Sequence, residues 1–309
     1  MYCIIKYLIA SLAVIFVIPG ISFATGKLPV FVTILPQKYF VQQIGKDLVD
    51  VQVMVQPGAD PHTYEPKPQQ MVAISRAQLY FAIGIEFEEA NLEKITSTNP
   101  DLKIIPTDRG IEKLAMAAHH HDDEHAEEDH EGEHRDEAGH GEDHDDHAGR
   151  DPHIWLSPPL VKIQARTILA ALQEADPANK SSYEANFMEL MEKIDQLDAD
   201  LKKTFAENKG MQFMAFHPSW GYFAHAYGLE QMPIEIEGKD PKPAQLKELI
   251  EHARENGIRV IFVQPQFSAQ SAEVVAREIG GQVVFADPLA EDWLANLQEV
   301  SDKFKSALK

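Results

Sequence analysis

Short apolar runs alternate along this sequence with stretches of helical period, and that alternation constrains the fold more than any other feature. The runs cover residues 30–35, 49–55, 79–85, 103–107, 211–216, 259–263 and 282–286. Between them, apolar residues recur at helical spacing over 68–78, 88–96, 159–174, 243–256 and 269–279. Strand and helix in alternation predict an α/β chain of βα units with mainly parallel sheets. Continuous apolar strands such as Val260-Ile261-Phe262-Val263 agree, because a parallel strand is covered on both faces. One longer helix is predicted over 177–208, where Tyr183, Phe187, Leu190, Ile194, Leu197, Leu201 and Phe205 are three or four apart. Asp176 fits its N-cap and Pro177 its first position. Such a rod, about 45 Å long at 1.5 Å per residue, reads equally as a stiff connector or as an amphipathic surface helix. As a connector it divides the chain into a first lobe over 25–176, the helix over 177–208 and a second lobe over 209–309.

Two segments stand outside that pattern. Residues 1–24 have the layout of a cleavable signal peptide: Lys6, an apolar stretch over 8–18, the breakers Pro19 and Gly20, then Ser22-Phe23-Ala24. The apolar stretch is too short to span a bilayer, so export to a bacterial periplasm is the expectation. Residues 119–147 hold nine of the fourteen histidines, fourteen acidic residues and one arginine, a formal charge of −13 out of −21. With no aromatic or large aliphatic residue, this segment is expected to be a disordered loop. His130-Glu131-Gly132-Glu133-His134 and His121-Asp122-Asp123-Glu124-His125 inside it match zinc-protease strings. A stretch built from so few residue types generates such strings by composition, and nothing apolar preorganises them. Weak binding of several metal ions is the better reading of the loop. Its affinity should fall below about pH 6 as the histidines protonate.

The overall charge of −21 argues against a nucleic-acid partner and suits a protein that attracts cations. One cysteine excludes a disulfide framework and a thiolate metal cluster. Four Pro-flanked places then offer ligands: His62 in Ala59-Asp60-Pro61-His62, His153 in Asp151-Pro152-His153, His217 in Phe216-His217-Pro218, and Asp287 in Asp287-Pro288. Three of the four follow the carboxyl end of a predicted strand, where open α/β sheets bind ligands. Three imidazoles and a carboxylate make a closed four-coordinate set of the kind zinc accepts. Each residue alone reads as a capping or hydrogen-bonded core group, and spacing does not prove that they converge. Trp155 and Trp220 adjoin two of them and are candidates to wall the site. His225 and His252 read as structural.

The stretches at 58–68, 151–158, 216–243, 260–268 and 287–297 resemble the metal-binding solute-binding proteins of ABC importers, and within them the zinc-uptake (ZnuA-type) branch. The resemblance covers essentially the whole chain after residue 24. It implies two Rossmann-like lobes joined by a long rigid backbone helix, with metal bound between them. It also implies His62, His153, His217 and Asp287 as the ligands. His217 points to Zn²⁺ as the transported ligand, because manganese members tend to carry Glu there. Zinc members often have a disulfide in the second lobe, for which this chain lacks the cysteines.

The expected role is therefore a periplasmic, monomeric zinc receptor, not an enzyme. It would deliver Zn²⁺ to an inner-membrane ABC permease with a separate ATPase, since the chain has no G-x-x-x-x-G-K-[ST] phosphate loop of its own. Open alternatives are a manganese or iron receptor of the same fold and a periplasmic zinc buffer. A secreted zinc hydrolase is a third, and it would need an open ligand position.

Overall fold

The computed structural model describes residues 26–116, 149–236 and 238–307. The signal-peptide and charged-loop expectations lie outside those residues. The first sheet takes β1 (Leu28–Val32), β2 (Val49–Val53), β3 (Leu79–Ala82) and β4 (Lys103–Pro106), with α1 (Leu35–Gly45), α2 (Pro68–Ile74) and α3 (Glu86–Thr98) between the strands. Then come α4 (Pro158–Ala175) and α5 (Lys180–Thr204). The second sheet takes β5 (Gln212–Ala215), β6 (Glu230–Pro233), β7 (Val260–Val263) and β8 (Gln282–Phe285). Its helices are α6 (Gly221–Tyr227), α7 (Pro243–Glu255), α8 (Gln270–Ile279) and α9 (Trp293–Ala307).

Both sheets have four strands and one topology, in the orders β2-β1-β3-β4 and β6-β5-β7-β8, and every pairing is parallel. In each, the central strands read as apolar runs because helices cover both faces. All four residues of β3 and of β7 are buried. The two lobes are α/β with parallel sheets, and a long helix packs against both.

That helix is α5. It contacts α1 and α4 of the first lobe and α9 of the second. Its buried face is Tyr183, Phe187, Leu190, Met191, Ile194, Leu197, Asp198 and Leu201, the periodic series of the sequence with Met191 and Asp198 added and with Phe205 falling at the C-cap. It starts three residues later than the spacing predicts. Pro177–Asn179 form a tight 3-10 turn instead, and the Asp176 carboxylate accepts from Asn179 Nδ2 at 2.7 Å and Tyr183 Oη at 2.9 Å. A side-chain acceptor there stabilises the turn at the expense of one more α-helical turn.

Four elements carry no sequence prediction. At α1, residues 33–35 of the predicted first strand leave the sheet, because the Gln37 carboxamide oxygen accepts from the backbone N–H of Thr33 and Ile34 and redirects the chain. β6 is a polar edge strand ending in Pro233, and α6 is too short to show a period. α9 does carry a helical period in Trp293, Leu297, Val300 and Phe304, all buried. One continuous core runs from Val30 and Phe81 through Trp155, Ile194 and Leu197 to Phe213, Phe262 and Phe304. A smaller core lies between the second sheet and α7 and α8.

Candidate metal centre

His62, His153 and His217 meet between the lobes. One ring nitrogen from each lies within 4.8 Å of the others, and among the described residues this is the set of metal-ligating side chains that converges. The ring centroids are 5.0, 5.1 and 5.8 Å apart. His153 and His217 are buried and His62 is partly so.

Each histidine is placed by a turn that its neighbours dictate. His62 follows β2, and the Asp60 carboxylate accepts the His62 backbone N–H at 2.9 Å. Asp151 does the same for the backbone N–H of His153 at 2.9 Å, just before the 3-10 turn Ile154–Leu156 that leads into α4. His217 follows β5. There the Gln264 carboxamide donates to the His217 carbonyl at 2.6 Å and accepts its N–H at 3.3 Å.

The far side of every ring is held by a carboxylate. His62 Nδ1 lies 2.8 Å from Glu86 Oε2, His153 Nδ1 lies 2.7 Å from Asp151 Oδ1, and His217 Nδ1 lies 2.7 Å from Glu235 Oε1. An ionised carboxylate only accepts, so each Nδ1 carries the proton and each Nε2 presents a lone pair. His153 Nε2 and His217 Nε2 are 3.3 Å apart. Two facing lone pairs at that distance repel unless a proton or a cation lies among them. Three imidazoles in this tautomer could hold a cation, and the three carboxylates behind them add formal negative charge. Those bonds also fix the orientation of each ring.

Burial lowers the His153 pKa and outweighs the pull of Asp151, so the ring stays neutral into acid. Burial also acts to lower that of His62, but the hydrogen bond and charge of Glu86, with Asp60 and Glu235, outweigh it and raise the value. The hydrogen bond to His62 in turn holds Glu86 down at about 2.

The space enclosed is about 10 Å³, lined by Asp60, Pro61, His62, His153, Trp155, His217, Gln266, Phe267, Pro288 and Leu289. That is room for about one water-sized species. Phe267 stacks on His217 at 5.1 Å, and Trp155 lies 5.1 Å from His153. Trp155 ties the lobes together: its Nε1 donates to Pro288 O at 2.7 Å, and its carbonyl accepts from Trp293 Nε1 at 2.6 Å. Trp220 does not wall the cavity but packs in the core against Phe223 and Phe304. His225 and His252 are exposed and lie apart from the cluster.

The structure does not bring the Asp287 carboxylate into the histidine cluster. Its Oδ1 accepts from Gln266 Nε2 at 3.0 Å and from the Leu289 N–H at 2.9 Å. It lines a neighbouring interlobe cavity of about 350 Å³. The carboxylates Glu86 and Glu235 carry no sequence prediction. Both follow the carboxyl end of a strand, the same rule that points to His62 and His217. Glu88, also unpredicted, is buried beneath the turn that presents Glu86. It accepts from the N–H of Ile83 and Gly84 at 2.6–3.0 Å and from the Thr33 hydroxyl.

Known proteins match this chain over nearly its whole length. The family described as zinc-uptake complex component A, periplasmic (ZnuA) matches residues 30–307. The high-affinity zinc uptake system protein ZnuA of Bacillus subtilis is 33% identical over 261 residues, 83% of this chain and 76% of that protein. A crystal structure of ZnuA aligns with a TM-score of 0.80 at 41% identity, covering 92% of this chain and 100% of that one. A ZnuA deletion mutant with zinc bound aligns at 0.79 and 41% identity, covering 92% and 99%.

Proposed function

The chain belongs to the ZnuA family of periplasmic zinc-uptake components, and from that membership we propose that it captures one Zn²⁺ ion between its lobes and hands it to an ABC permease. The observation that carries this reading is the set of three Nδ1–carboxylate bonds, which turn three Nε2 lone pairs into a cavity of about 10 Å³. Desolvating a dication is costly unless ligands replace its water shell. Imidazole nitrogens suit zinc, whereas manganese favours oxygen. His62, His153 and His217 bind the ion, and Asp287 supplies the fourth ligand once its side chain turns toward it.

All these ligands come from one chain, in keeping with a monomeric receptor. The permease, its separate ATPase and a periplasmic location follow from the family's role. Removal of residues 1–24 follows from their signal-peptide layout. Among the described residues no helix is long and apolar enough to cross a membrane. A three-histidine set has the ligand count of a catalytic zinc, but the family that this chain matches is one of zinc-uptake components. We assign no catalysis. Residues 119–147 act as a weak collector that raises zinc near the cleft. Deleting them should leave one tight ion per chain and remove only weak ones; loss of tight binding would overturn that division.

Competition of apo protein against a chromophoric chelator tests the receptor reading. One tight Zn²⁺ per chain, with Mn²⁺ displaced by it, is the expected result. Tighter binding of Mn²⁺, or no tight zinc, contradicts it.

A further inference from the structure

Asp287 is anchored at its backbone and, through hydrogen bonds alone, at one carboxylate oxygen. Its carbonyl accepts from Asn296 Nδ2 at 2.7 Å. The next carbonyl, that of Pro288, accepts the Trp155 indole N–H from the other lobe. The backbone is thus pinned from both sides, and only the side chain can turn. What holds that side chain is the Leu289 backbone N–H and, as the one side-chain donor to it among the described residues, Gln266. Its carboxamide donates to Asp287 Oδ1, and Gln266 lines both the histidine cavity and the larger cavity where Asp287 lies.

Gln266 Oε1 is buried and has no hydrogen-bond partner among the described residues. The reverse orientation of the carboxamide would set its oxygen against a carboxylate, so the donor assignment is fixed by Asp287. A buried acceptor without a partner disfavours the arrangement that contains it. The Gln266–Asp287 contact is therefore poised. Turning the carboxamide toward the cavity gives Oε1 a donor, such as a water on an arriving cation, and frees the carboxylate.

We infer that Gln266 is a positioning residue that holds the Asp287 carboxylate away from the three histidines until a divalent cation arrives. The inference rests on the zinc-receptor reading and deepens it. Gln266 sets how readily the fourth ligand is given and withdrawn, which favours release at the cost of affinity. Each capture then breaks a charge-assisted hydrogen bond, so the competent state is a fraction of the whole and the apparent affinity is reduced by that fraction.

The test is zinc affinity and the rate of zinc transfer to a chelator for the wild type, Gln266→Met, Asp287→Ala and the double variant, all as full chains. Gln266→Met keeps the volume and removes the donor. It should bind zinc about threefold to tenfold tighter and release it correspondingly more slowly. Asp287→Ala should bind more weakly, and Gln266→Met should then have no further effect. Gln266→Leu provides the same readout if the Met variant folds poorly, with the apo unfolding midpoint as the control. Unchanged or weaker binding in Gln266→Met, or equal tightening without Asp287, overturns the inference while leaving the receptor intact. Wild-type affinity in Asp287→Ala also overturns it. Absence of tight zinc in the wild type overturns both readings.

Discussion

His153 and His217 hold their Nε2 atoms 3.3 Å apart because Asp151 and Glu235 fix the opposite edge of each ring. Removing a ring removes a ligand, so His153→Ala or His217→Ala should weaken zinc more than about 100-fold in a chelator competition. Removing a carboxylate leaves the ligand but loses its orientation, which costs roughly 10–100-fold. Glu235→Ala should fall in that range. His62 sets the pH response. Its raised pKa means that the apo fold favours the protonated ring. The stability from its pairing with Glu86 is complete below about pH 6.5 and is lost as pH rises through the higher folded value. Zinc binding runs the other way, because it displaces that proton. Affinity should drop by about tenfold per pH unit below the folded pKa of His62, measured by titration between pH 5 and 8. His153, whose pKa is lowered, adds a second proton only in stronger acid. The three histidines could be singled out in the sequence because each stands beside a proline, but the family resemblance, not their spacing, grouped them as a set. Asp151 stands in the His153 motif itself, but Glu86 and Glu235 were not legible as partners, because 24 and 18 positions separate them from His62 and His217.

At the scale of elements, α5 matters most, since one helix face contacts α1, α4 and α9. Ile194 at its middle is fully buried in the core shared by both sheets. Ile194→Ala should cost about 2–5 kcal/mol, read by urea denaturation. The unfolding should remain a single transition because the core does not divide at the helix. Two transitions would mean that the lobes fold separately. The apolar central strands β1, β3, β5 and β7 and the long periodic helix could be read from pattern alone. β6 could not, since an edge strand of Glu-Gln-Met-Pro buries little. Yet β6 delivers Glu235 to His217, so the least legible strand places part of the site. The start of α1 was hidden for a related reason: Gln37, a polar residue buried by its backbone hydrogen bonds, ends the strand where a run of apolar residues continues.

Over the whole molecule, the lobes are joined by more than a hinge. Trp155 bonds to Pro288 and Trp293 across the cleft, and Tyr222 of the second lobe accepts from Leu114 N–H and donates to the Asp151 carbonyl. These contacts and the continuous core leave little freedom for wide closure. Zinc should therefore change the radius of gyration hardly at all in solution scattering, with motion confined to loops and to the Asp287 side chain. A large compaction on loading would contradict a rigid frame. The account depends most on where the ion sits. Anomalous diffraction at the zinc edge, from crystals of the protein loaded with one equivalent of zinc, locates it directly. The predicted result is a single strong peak about 2.0–2.2 Å from the Nε2 atoms of His62, His153 and His217. A peak elsewhere, or none between the lobes, would contradict it.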